Sequence, residues 1–238
     1  MADVFGRRAA LVLVMSIVVA LRAGDVQPAD PDPNRFAKEV EAFAGWDSKN
    51  AAPAEPVLFV GSSSIRMWRT HDSFPDLPVL NRGFGGSHIS DVIHFADRLV
   101  LPYKPRVIVF YAGDNDIAAG KSAQRVFEDY RRFAGLVHAR LPDVRIIFLA
   151  IKPSESRWSF WPEMKKANEL VQGLCRNDDR LFFADLATSV LGPDGKPRSE
   201  LFLSDKLHLN PAGYSVWTQA LTPVLRQALA SRRDIRSP

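Results

Sequence analysis

A chain of 238 residues with one cysteine, Cys175, cannot be braced by an internal disulfide. Cys175 falls in a helical apolar pattern, where its ordinary reading is a small buried apolar residue. The clearest apolar run, Ala9 to Leu21, has 13 residues, against about 20 needed to span a bilayer. A large surplus of one charge is lacking as well, with 31 Lys and Arg against 27 Asp and Glu. The formal net charge is +4, and three arginines and one aspartate lie in residues 1 to 23, so half of the surplus belongs to that segment. With no basic stripe and no recognisable binding motif, the composition argues against a nucleic-acid partner. No internal repeat and no composition shift divides the chain, which at 46% hydrophobic can bury a full core.

What is present begins at the N-terminus. Arg7 and Arg8 precede the apolar run, and small residues follow at Ala20 and Ala23, which together read as a secretory signal over residues 1–23. The other reading is an uncleaved N-terminal anchor. Either one predicts an exported protein, periplasmic or secreted, with no stable membrane span once the signal is removed. Pro28, Pro31 and Pro33 among acidic residues mark a linker, and Phe36, Val40 and Phe43 recur at helical spacing, so 24–50 is set apart as linker and N-terminal helix. Residues 51–238 form the main domain. The tail Arg232 to Arg236 reads as solvated.

Five apolar runs read as strands: Val57 to Val60, Val79 to Asn81, Val107 to Tyr111, Ile146 to Ile151 and Leu181 to Ala184. Between them lie helical patterns through Ile89, Val92, Ile93, Ala96 and Leu99, through Val126, Tyr130, Phe133, Val137 and Leu141, and through Met164, Ala167, Val171 and Leu174. A last helix is predicted to start at Asn210-Pro211 and bury Tyr214, Trp217, Leu221 and Leu225. Apolar strands without alternation, separated by amphipathic helices, predict an α/β fold: a five-stranded parallel sheet between two helical layers.

In such sheets ligands bind at the carboxyl ends of the strands. There the chain carries, in order, Ser62-Ser63-Ser64, Gly85-Gly86-Ser87, Gly113-Asp114-Asn115-Asp116, Lys152-Pro153-Ser154 and a long loop to Asp205 and His208. A hydroxyl can be a nucleophile, and Asp205 with His208 can supply an orienter and a base. Glycines admit a backbone N–H close to an oxyanion, and the Asn115 amide donates without charge. Each element has a plainer reading: Asp205 as a turn cap, His208 as a surface residue, the glycines as a simple turn, Asn115 as a helix cap.

Four of these blocks, Gly61-Ser62-Ser63, Gly85-Gly86-Ser87, Gly113-Asp114-Asn115-Asp116 and Asp205-Lys206-Leu207-His208, each following a predicted strand, resemble in this order the SGNH hydrolases, also called GDSL-type esterases and lipases, over roughly residues 55 to 228. The resemblance implies a flavodoxin-like α/β/α sandwich and a serine esterase that needs no cofactor and no metal. It implies Ser63 as nucleophile, His208 as base and Asp205 as its orienter. It further implies an oxyanion hole from the N–H of Ser63, the N–H of Gly86 and the Asn115 side chain. The chain departs from the family at Ser62, where the motif usually carries aspartate. It also lacks the second glycine of a nucleophile elbow, which argues against the α/β-hydrolase fold.

Arg82, Lys152, Arg157, Trp158 and Trp161 are candidates to line the substrate site. Aromatic faces suit sugars and a basic pair suits an anionic group, so a small acyl ester of a carbohydrate or envelope component is the expected substrate, with a lipase or lysophospholipase activity as the alternative. The tryptophans can equally pack the following helix, and Arg82 can satisfy a carbonyl. His88 and His94 are six apart, which does not put them on one helix face. Two readings from other classes stay open: a metal-dependent hydrolase built on Asp114, Asn115, Asp116, Asp205 and His208, and a non-catalytic carbohydrate-binding module.

Overall fold

The computed structural model of the protein describes residues 27–230. The predicted strands form one sheet: β1 (Val57–Gly61), β2 (Val79–Gly83), β3 (Val107–Tyr111), β4 (Arg145–Leu149) and β5 (Leu181–Ala184). The strand order is β2-β1-β3-β4-β5, and every pair is parallel. The helices are α1 (Ala37–Asp47), α2 (Ser63–Arg66), α3 (Thr70–Ser73), α4 (Ile89–His94), α5 (Ala96–Leu99), α6 (Asp114–Ala118), α7 (Ala123–Arg140), α8 (Trp161–Cys175) and α9 (Pro211–Ala230).

Successive strand residues point to opposite faces, so one run of apolar residues feeds two cores. Leu58, Val60, Ile108, Phe110, Ile146 and Phe148 pack beneath α1, α4, α7 and α8. Val57, Phe59, Val107, Val109, Tyr111, Ile147 and Leu149 pack against α9 and the segment from Trp68 to Phe74. Burying each such side chain contributes about 1.5–3 kcal/mol, which is why these strands tolerate no polar alternation.

Local signals set the helix ends. Ser122 accepts from the Arg125 N–H at 3.2 Å ahead of α7, and Asn210 accepts from the Gly213 N–H at 3.1 Å ahead of α9. The pattern from Ile89 to Leu99 is two short helices, broken at Phe95, whose backbone (φ −96°, ψ 10°) leaves the helical region. Apolar spacing records which face is buried, and the break changes no face. β4 stops at Leu149 because the Asn168 side chain pairs with both backbone groups of Ile151, at 2.8 and 2.9 Å. β2 runs on to Gly83, paired with Gly61 of β1.

The segment divided off as 24–50 is, from residue 27, part of this body. Gln27 accepts from the Ser122 N–H at 2.9 Å, and Asp30 pairs with Lys121 at 2.7 Å. Phe36 and Val40 enter the first core. The signal or anchor reading of 1–23 and the tail from Arg232 lie outside the described residues.

Candidate active site

At the end of β1 the chain passes the carbonyl of Tyr111 so closely that a Cβ on Gly61 would stand 1.8 Å from that oxygen, and Gly61 turns at φ +138°. Glycine is required here on both counts. Its successor Ser62 donates its N–H to the same Tyr111 oxygen at 2.9 Å, and its side chain is buried with no hydrogen-bond partner. Ser64 is buried, and its carbonyl accepts from the Tyr214 hydroxyl of α9 at 3.0 Å. Ser63, the first residue of α2, is the half-buried member of the three.

Its hydroxyl meets His208. Ser63 Oγ lies 2.8 Å from His208 Nε2, and His208 Nδ1 lies 2.6 Å from Asp205 Oδ2. A carboxylate can only accept, so Nδ1 carries the proton and Nε2 is left to accept from the hydroxyl. The other carboxylate oxygen closes a turn, accepting from the N–H of Leu207 at 2.9 Å and of His208 at 3.0 Å. Partial burial of Asp205 opposes its charge, and the hydrogen bonds from the His208 ring and these two N–H groups outweigh that burial and hold the carboxyl at about 2. Lys206 takes a left-handed backbone, φ +57°, to make the turn.

The turn is gripped from the loop after β4. Lys152, fully buried, donates from Nζ to the Leu207 carbonyl at 2.7 Å, and Ser156 donates to the Lys206 carbonyl from its N–H at 3.2 Å and its hydroxyl at 3.1 Å. Burial pushes the Lys152 ammonium down to about 8, against the favourable pull of Asp114 and Asp205.

On the other side of Ser63, Phe84 donates its N–H to the Gly61 carbonyl at 2.9 Å and Asn115 donates from Nδ2 to the Ser87 carbonyl at 3.0 Å, which draws the glycine loop and α6 beside the end of β1. Gly86 sits at φ +74°, and its N–H donates to no protein group among the described residues. The loop is locked from behind by Asp116, buried in α6, which accepts from the Ile89 N–H at 3.2 Å and from Lys121 at 2.8 Å. A hydroxyl beside an acceptor imidazole, next to free donors, is an arrangement suited to acyl transfer.

The candidate lining residues part company. Arg82 is not at the site: it shares the face of Leu80, is buried, and bonds Asp47 of α1 and the Tyr103 hydroxyl. Lys152 lies buried under the Asp205–His208 turn, bonded to the Leu207 carbonyl. Trp161 packs half-buried against the first core, whereas Trp158 is 37% and Phe160 36% exposed. Arg157 donates to Asn115 Oδ1 at 2.9 Å and pairs with Asp114 at 3.0 Å. The five groups of the metal reading do not share a centre, since Asp114 is paired with Arg157 and Asp116 with Lys121. His88 lies 3.6 Å from Asp116, while His94 stacks edge-on to Phe95. Lys121 and Ser156 carry no motif of their own in the sequence. Their only signal is nearness to a block, five residues after Asp116 and four after Lys152.

No curated protein sequence matches the chain at a significant level. Solved structures share the fold. A protein from Bacteroides fragilis, named as a candidate acylhydrolase, is 20% identical, with a TM-score of 0.67 over 84% of this chain and 100% of its own. A GDSL-like lipase from Bacteroides thetaiotaomicron is also 20% identical, with a TM-score of 0.65 over 83% of this chain and 98% of its own. A mutant acetyl-xylooligosaccharide esterase from Geobacillus is 15% identical, with a TM-score of 0.56 over 78% and 98%. At the level of sequence, residues 44–216 match the GDSL-like lipase/acylhydrolase family, a span that includes all four blocks and the sheet that carries them. The chain belongs to that family and is a hydrolase of ester bonds.

Proposed function

We propose that the protein is a serine esterase that cleaves carboxylic esters through an acyl-enzyme, acting on a small acyl, acetyl-like ester of a carbohydrate or envelope component. The observation that carries the reading is the continuous chain of contacts from Ser63 through His208 to Asp205. Ser63 Oγ attacks the ester carbonyl while His208 Nε2 takes its proton, and Asp205 stabilises the imidazolium without accepting that proton. The alkoxide formed at the carbonyl is stabilised by the N–H groups of Ser63 and Gly86 and by Asn115. His208 then protonates the departing alcohol. Water repeats the sequence on the acyl-enzyme, releasing the acid and restoring Ser63.

The exposed Trp158 and Phe160, one and three residues beyond Arg157, favour a sugar over a long acyl chain, because an aromatic face stacks on a pyranose ring. The Geobacillus structure of the same fold is named as an acetyl-xylooligosaccharide esterase, which agrees with an acetyl preference. Residues 1–23 act as the export signal in this reading, and mass spectrometry of protein recovered outside the cytoplasm is expected to find a mature chain that begins near residue 24.

An ester panel from acetyl to long acyl chains, acetylated sugars included, tests the reading. Acetyl esters are expected to turn over fastest, and a preference for long chains would overturn the substrate class. Ser63→Ala is expected to abolish both turnover and labelling by a serine-directed phosphonate. Ser62→Ala keeps both and gains about 1 kcal/mol of stability, because it removes a buried hydroxyl without a partner. Labelling that survives in Ser63→Ala refutes the nucleophile. Chelator is expected to leave turnover unchanged.

A further inference from the structure

We infer that Arg157 is a positioning residue of the oxyanion site: it holds the Asn115 carboxamide in the one orientation that turns an N–H toward the reacting carbonyl, and strengthens that N–H as a donor. The inference rests on the ester-hydrolysis reading above.

An asparagine amide has two ends of nearly equal size and opposite hydrogen-bonding character. At Asn115 both ends are specified. Arg157 Nη2 donates to Oδ1 at 2.9 Å, and Nδ2 donates to the Ser87 carbonyl at 3.0 Å. A guanidinium cannot accept and a carbonyl cannot donate. Flipping the amide would set donor against donor at one end and acceptor against acceptor at the other. The Ser87 carbonyl takes one of the two Nδ2 hydrogens, and the second has no protein partner among the described residues.

The guanidinium also acts on the amide electronically. A positive charge bonded to Oδ1 draws density out of the carboxamide, and hydrogen bonds linked in series strengthen one another in a site of low dielectric. Arg157 is itself held in place, because its side chain is 19% exposed and Nη1 lies 3.0 Å from Asp114 Oδ2. Asp114 Oδ1 in turn accepts from the Asn115 N–H at 3.0 Å, so carboxylate, guanidinium and amide form a closed ring of contacts. Nη1 meets Asp114 as an ion pair and Nη2 hydrogen-bonds the amide; a lysine could balance Asp114, but its single ammonium could not set one nitrogen against the carboxylate and another on the amide oxygen. The same stretch of chain grips the acid–base turn through Lys152 and Ser156, so residues 152–157 position both halves of the site.

The full chain is compared as wild type, Arg157→Lys, Arg157→Met, Asn115→Ala and the double variant Arg157→Met/Asn115→Ala, with kcat and KM measured on a short-chain chromogenic ester. In Arg157→Met kcat is expected to fall about 10- to 100-fold with KM within about threefold, part of the loss that removing a whole oxyanion donor brings. Binding of a trifluoromethyl ketone, which forms an oxyanion on Ser63, weakens by a similar factor, and Arg157→Lys lies between. The double variant is no worse than Asn115→Ala by more than about threefold, because the arginine acts through the amide. Full kcat in Arg157→Met, a loss confined to KM, or losses that multiply in the double variant would each overturn the inference while leaving the esterase reading intact. A wild type inert toward every ester overturns both. Should Arg157→Met not fold, Asp114→Asn/Arg157→Met strands no buried charge and carries the same comparison.

Discussion

At the scale of residues, Lys152 shows how a group can matter without facing a substrate. Its ammonium is buried beneath the Asp205–His208 turn, held to the Leu207 carbonyl and pushed down to about 8. Between pH 8 and 10.5 the unfolded chain keeps a proton at this lysine that the folded chain has released, so stability from this group rises with pH across that window. Lys152→Met removes the titration together with the bond to the Leu207 carbonyl, so the informative quantity is how the difference varies with pH. The melting temperature of the wild type is therefore expected to rise relative to Lys152→Met between pH 7 and pH 10, and a constant difference would show that Lys152 is not perturbed. That Ser63, of the three serines, meets His208 was legible from its place after a strand and from the residues that follow other strands. The uses of Lys152 and Arg157 were not, because their bonds to Leu207 and Asn115 span 55 and 42 residues and leave no local pattern. Arg82 was legible in principle. It stands two positions from Leu80 and so faces the same helical layer, with Asp47 as a partner 35 residues away.

At the scale of elements, the strands were easy to read because both faces of this sheet are covered, so each strand is a short unbroken apolar run. Their ends were harder, since a side chain such as Asn168 can take over where a neighbouring strand stops. The link between α9 and α2 was not legible at all. Tyr214 follows the Asp205–His208 turn and reaches back to the Ser64 carbonyl, tying α2, which carries Ser63, to α9. The aromatic rings of Trp68, Tyr214 and Trp217 pack between them, Trp68 stacked on Tyr214 and Trp217 edge-on to Tyr214. Tyr214→Phe keeps the ring and strands the carbonyl, at an expected loss of about 1–3 kcal/mol in urea unfolding. A variant as stable as the wild type would show that water satisfies Ser64 instead.

At the scale of the whole molecule, the question is where the folding unit begins. A boundary at residue 51 leaves out α1, yet Asp47 of α1 balances Arg82, which is otherwise buried, and Phe36 and Val40 close one core. Removing one partner of a buried ion pair costs about 3–5 kcal/mol. A chain starting at residue 24 is expected to melt with the full-length protein. One starting at residue 51 is expected to be unfolded or to melt far lower. Equal melting of the two would place α1 outside the folding unit. Composition pointed to one domain, and the packing of residues 27–50 was harder to read because prolines look the same in a free linker and in a docked strap.

The contact between Ser63 and His208 joins residues 145 apart in the chain. At a synthesis rate of about 5–20 residues per second, the proposed nucleophile exists for roughly 7–30 s before its base has been made. Through that interval the serine is an ordinary alcohol, without the imidazole that would take its proton. The nascent chain is therefore harmless to esters where it is made, and any truncation before His208 leaves the same inert alcohol behind. Order along the polypeptide thus acts as a timer on the chemistry.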